Sequence, residues 1–121
     1  MQLPKPTLSA LWILRTVAAL NLLTLLAVVS FYLRAAVAVG HLPFYDHPDP
    51  KDLHFNIHFA LVWPLLRFQP SILITFAAAA VWESLRPPSK GFNHAVAANV
   101  LLYAAFACFM SQTEFLDWYL D

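Results

Sequence analysis

Apolar residues in this chain come in three long runs, separated by short polar breaks rich in proline. The first run, "LSALWILRTVAALNLLTLLAVVSFYLRAAVAVG" (Leu8 to Gly40), contains eighteen uncharged residues from Thr16 to Leu33, bracketed by Arg15 and Arg34. About 20 apolar residues at 1.5 Å each span a hydrocarbon core of ~30 Å. Arginine stems at either end reach back toward the headgroups. The run therefore predicts a transmembrane helix over about 9–39. It is too long for the apolar region of a cleaved signal peptide, which is about 7–15 residues.

The second run, "HFNIHFALVWPLLRFQPSILITFAAAAVWESLR", carries Pro64, Arg67, Gln69 and Pro70 near its middle. Proline removes a helical hydrogen bond and disfavours helix at the preceding residue. Two arrangements follow: one kinked helix from about Leu53 to Leu85, or an interfacial helix over His54–Leu66 followed by a shorter span opening at Pro70. Either way the element over 54–85 is bent or broken near Arg67–Pro70. "RPPSKG" then stops it and turns the chain. The third run, "FNHAVAANVLLYAAFACFMSQT" (Phe92 to Thr113), holds no Lys, Arg, Asp or Glu and predicts another spanning helix. In the tail "EFLDWYLD", aromatic and aliphatic residues recur four apart. That pattern predicts a short interfacial helix with Trp118 and Tyr119 in the headgroup belt.

The expected fold is thus an all-α integral membrane protein: one domain over 1–121 with three transmembrane helices and a polar outer loop at 40–53. Composition strengthens this. Of 121 residues, 60% are hydrophobic and 12% charged, against about 25% charged in a water-soluble domain. So little charge cannot cover a hydrated surface, and lipid removes the need. Net charge is zero with His neutral, and no basic cluster points to nucleic acid. Lys5, Arg15, Arg86 and Lys90 fall on one side of the expected topology, Arg34 and Lys51 on the other. The positive-inside rule then sets a cytoplasmic N-terminus and an outside C-terminus, in a bacterial inner membrane or its equivalent. Cys108, inside an apolar run, reads as a buried packing residue.

Polar residues inside the spans need partners. Asn21 and Asn99 read as glue between helices. Arg67 is an intramembrane charge, which ordinarily has a partner or lines a pathway. Glu83 and Arg86, three apart, read as an ion pair at a helix end that Arg15 joins. The alanines of the second and third runs, Ala77 to Ala80 among them, permit close approach of another helix.

The loop "FYDHPDPKDLHFNIHF" offers other chemistry. His54 and His58 stand four apart, the spacing that places two imidazoles on one helix face for a transition metal, with Asp46 and His47 near enough to complete a shell. No closed motif such as HExxH or paired CxxC accompanies them. "HPDP" also reads as a proline-stiffened turn, and Asp52 as the cap of a helix opening at Leu53. A haem shared by His58 and His94 is excluded by the topology, which sets them at opposite ends of the spans. His94 alone remains a candidate single axial ligand for a haem or chlorophyll-type pigment. Nothing in the sequence requires a cofactor.

In length and span number the chain resembles the small three-helix membrane anchors of succinate dehydrogenase. The Asp-Tyr pair usual after the haem histidine in that family is absent: "NHAVAANVLLY" supplies His94 and Tyr103 only, so no residue role carries over. With no nucleophile–base pair and no phosphate loop, the expected function is a non-catalytic accessory subunit of a larger membrane complex, of respiratory or photosynthetic kind. Its partners are then the lipid bilayer and other membrane subunits. The rival expectations are a haem-, pigment- or metal-binding electron-transfer or assembly component, and a small oligomeric channel or transporter lined by Arg67, Asn21 and Asn99.

Overall fold

The computed structural model describes residues 9–43, 49–87 and 89–120. Among these the regular structure is helical throughout: α1 (Leu11–Val39), a 3₁₀ turn (Pro50–Leu53), α2 (Asn56–Arg67), α3 (Gln69–Ser84), α4 (Phe92–Thr113) and α5 (Phe115–Tyr119). Helices α1 and α4 are each long and apolar enough to cross a membrane. Helices α2 and α3 meet that test only together, and they are bent by 46°.

Helix α1 ends at Gly40, whose φ of 79° lets its N–H bond Ala36 O at 2.9 Å. That left-handed geometry closes helices and favours glycine. The break between α2 and α3 falls at Phe68, which bonds back to Pro64 O (3.0 Å) and forward from Ile72 N (2.9 Å). Pro70, in the first turn of α3, has no N–H to offer the carbonyl four residues earlier, so the ladder is interrupted where the bend occurs.

Contacts with α1 set the path of this broken element. Gln69 reaches Thr24 and Glu83 reaches Ala10, so fourteen residues of α3 match fourteen of α1 and the two run antiparallel side by side. From His58 to Gln69, in contrast, α2 covers eleven residues while α1 covers only three to six, Ala27 or Ser30 to Thr24. Helix α2 therefore leans obliquely across one end of α1. Helix α4 runs parallel to α1 on another side, from Ala95 beside Leu14, through Asn99 at Asn21, to Phe109 against Tyr32. Helix α1 is the hub, and α2, α3 and α4 each pack on it.

Two apolar cores result. One joins Ala10, Leu14, Ala79 and Ala95. The other is larger, joining Ala27, Val28, Phe31, Tyr32, Ala35, Val62, Phe115, Trp118 and Tyr119. Between them lies a polar layer formed by Asn21, Thr24, Gln69 and Asn99.

Several sequence expectations change here. The 3₁₀ turn is capped by Asp49, whose carboxylate accepts from Lys51 N at 2.9 Å. Helix α2 begins only at Asn56, so Asp52 caps nothing at Leu53. The aromatic tail folds inward: Trp118 is 0% exposed and Tyr119 3%, because Glu114 at φ 51° turns the chain sharply after α4. Their rings meet Phe31, Tyr32 and Phe59, leaving Leu116 and Leu120 outward. Cys108 is exposed on α4, since that helix buries only Ala95 and Asn99 against the rest of the chain.

Candidate functional site

Three polar assemblies follow one another along α1. At its N-terminal end stands Glu83, buried at the close of α3. One carboxylate oxygen accepts from Ala10 N at 2.8 Å, and the other from Ser89 Oγ at 2.8 Å and Ser9 Oγ at 3.2 Å. Ser9 Oγ in turn accepts from Leu11 N at 3.2 Å. Helix α1 has no side-chain cap of its own. Glu83 supplies one from 73 residues away and sets a negative charge at the positive end of the helix dipole. The expected ion pair with Arg86 is a looser contact, Nε to Oε2 3.9 Å. Arg15 lies by Gly91 rather than in this cluster: a Cβ at Gly91 would come within 3.0 Å of its guanidinium.

In the middle layer Asn21 Nδ2 donates to Asn99 Oδ1 at 3.0 Å. Asn99 Nδ2 donates to Leu14 O at 3.0 Å and to Ala95 O at 2.9 Å. Beside them Gln69 Nε2 donates to Thr24 Oγ1, which donates to Leu20 O. Both asparagines are buried and face one another. The structure therefore brings Asn21 and Asn99 together as a contact between helices. Arg67 stands apart from them. It is exposed at the end of α2, and no hydrogen bond or ion pair joins it to the described residues.

At the far end, His58 Nε2 lies 3.2 Å from Ala27 O and 3.1 Å from Ser30 Oγ, with its ring edge-on to Phe31. A carbonyl only accepts, so Nε2 carries the proton and is committed to α1. His54 belongs to a different stretch of backbone: it ends the 3₁₀ turn at φ 55°, outside α2. The four-residue spacing of these histidines is thus not a helical one. Asp46 and His47 lie outside the described residues, and no group of three His, Cys, Asp or Glu within the described residues is placed to hold a metal ion. His94, the third residue of α4, is exposed. The levels of His58 and His94 differ as expected. His58 touches Ala27, whereas Ala95, next to His94, packs with Leu14, thirteen α1 residues or about 20 Å away.

The sequence reading missed the role of Glu83, the Gln69–Thr24 bond and the placement of Arg34. The guanidinium of Arg34 sits 3.9 Å over the Phe55 ring. No family model matches the chain, and neither a curated protein nor a solved structure shows significant similarity to it.

Proposed function

We propose that this chain is a non-catalytic subunit of a larger membrane assembly, anchored by three passes of the bilayer and bound to a neighbouring subunit through the face that carries Arg67. The supporting observation is the state of that arginine. Its neighbour Gln69 bonds Thr24, near the midpoint of the uncharged stretch Thr16–Leu33. That places Arg67 on the order of 10 Å from either end of the stretch. A cation at such depth costs about 2.5–3.5 kcal/mol on insertion scales, and it is ordinarily matched by an acceptor. The described residues supply none, so a carboxylate or carbonyl of another chain is the natural match.

The buried amides and the Glu83 carboxylate are occupied internally, whereas the buried Tyr103 hydroxyl has no hydrogen-bond partner among the described residues. Asn21 binds Asn99, Gln69 binds Thr24, and Glu83 caps α1, which leaves them poorly suited to line a conduction path. Beyond the break, α3 presents Ala77 and Ala78 outward beside a groove of ≈ 480 Å³ lined by Ser9, Ala10, Ile13, Ile74, Ala78 and Trp82, among others. Small residues of this kind let helix backbones approach closely. Arg15, Arg86 and Lys90 gather at the Glu83 end, with Arg34 and Lys51 at the other, an uneven distribution that favours a cytoplasmic N-terminus.

Native electrophoresis after mild detergent extraction, with mass spectrometry of the band, tests this reading. The tagged chain should migrate well above its 13.6 kDa together with a different polypeptide. Arg67→Glu should release it while Arg34→Gln does not. Recovery of the wild-type chain as a monomer, or only with copies of itself, overturns the proposal.

A further inference from the structure

The geometry points to a binding site for the phosphate of a membrane lipid at the His58 end, in a pocket formed by Arg34, His54, Phe55, Asn56, Ile57 and His58. This pocket has a volume of ≈ 310 Å³. Its lining holds one permanent cation, the His54 imidazole and one amide, with no carboxylate among the described residues, while His58 turns its Nε2 to α1. Such a set recognises an oxyanion. Arg34 is held for the purpose: its guanidinium stacks on the face of Phe55 at 3.9 Å, and a stacked guanidinium keeps its in-plane N–H edge free for a bidentate acceptor. Asn56, Ile57 and His58 form the first turn of α2, ahead of the bond from Phe59 N to Phe55 O, so their own amides lack intrahelical partners.

A lipid, rather than phosphate from solution, is favoured by depth and by the rim. Arg34 directly follows the uncharged stretch Thr16–Leu33, which puts it at headgroup level once that stretch fills the hydrocarbon. Ile57, part of the lining, is 90% exposed. A cationic floor beside an uncovered apolar side chain suits an amphiphile whose phosphate enters while its chains lie along the helix. This inference rests on the membrane reading but not on a partner subunit, so it fails or stands independently of the Arg67 result.

The test uses the full chain in a maltoside detergent, with native mass spectrometry counting retained phosphatidylglycerol against phosphatidylcholine. One phosphatidylglycerol should be held preferentially. Arg34→Gln should weaken it about fivefold, the effect of one cation near a membrane surface. Should Arg34→Gln fold poorly by circular dichroism, Ile57→Glu serves instead: it alters an exposed side chain, keeps every native donor and should abolish the preference by placing a carboxylate at the rim. Lys90→Gln, which removes an exposed cation at the opposite end of α1, should leave it unchanged. Equal retention in wild type, Arg34→Gln and Ile57→Glu overturns the site. Displacement of the lipid by millimolar inorganic phosphate overturns its assignment to a lipid headgroup.

Discussion

At the residue scale, Asn21 and Asn99 show how a buried amide acts in an apolar setting. Each is tolerated because the other is present, and Asn99 adds two backbone carbonyls to its partners. Measured contacts of this kind average about 0.6 kcal/mol and reach roughly 2. Asn99→Leu should therefore destabilise the bundle by about 1–2 kcal/mol, partly by stranding Asn21. The double variant Asn21→Leu/Asn99→Leu should cost less than the sum of the single changes. Reversible unfolding in mixed micelles measures all three, and strict additivity would show that the pair does not interact. Tyr119 gives a second prediction at this scale. Its hydroxyl donates to Phe59 O at 3.3 Å, and burial pushes the phenol above its ordinary value of 10. Folding favours the neutral form, so this contribution is complete below pH 10. As pH rises past 10 the unfolded chain ionises first and the contribution declines, by up to about 1.4 kcal/mol per pH unit. Tyr119→Phe should lose about 1 kcal/mol at neutral pH and flatten the alkaline decline, read as melting temperature against pH. An unchanged alkaline slope would place the titration elsewhere.

Elements differ in how far the sequence reveals them. Helices α1 and α4 are legible because eighteen or more apolar residues permit little else, and the α2–α3 break because Pro70 removes a donor. The tail is not legible in this way. A four-residue aromatic spacing suits an exposed interfacial helix as well as a buried one, and only the turn at Glu114 directs Trp118 onto Phe31. The Glu83 cap is likewise hidden, since its acceptors and donors are joined by antiparallel packing rather than by sequence spacing. The same packing bears on the bend itself. Both sides of the break are tied to α1, by His58 and by Gln69, so Pro70 permits the bend but tertiary contacts hold it. Pro70→Ala should accordingly leave the angle in place. The separation of spin labels on Ile57 and on Val37 of α1, both exposed, should change by less than about 3 Å, whereas straightening through 46° would swing the ~18 Å length of α2 by roughly 14 Å at its tip relative to α1. A shift of that larger size would make proline, not packing, the cause.

For the whole molecule, the decisive question is whether α2 and α3 cross the bilayer together or dip in and return. An isolated α3 of sixteen residues measures about 24 Å, less than a ~30 Å core, so length alone leaves both arrangements open. Packing favours the crossing. Because Glu83 caps the N-terminus of α1 while His58 meets Ala27 and Ser30 and Phe55 meets Arg34, the two ends of the pair lie toward opposite ends of α1. A re-entrant pair would bring both to one end. The turn that holds Lys90 must then share a side with Ser9, and His41, just past α1, must face the other. In a Cys108→Ala background, Lys90→Cys and His41→Cys, both at exposed positions, should react with a membrane-impermeant maleimide from opposite faces of sealed vesicles. Labelling of both from one face would mean that α1 and α4 alone cross. The alignment of α3 with α1 would then be lost in the bilayer, and with it the depth assigned to Arg67 on which the proposed subunit contact depends.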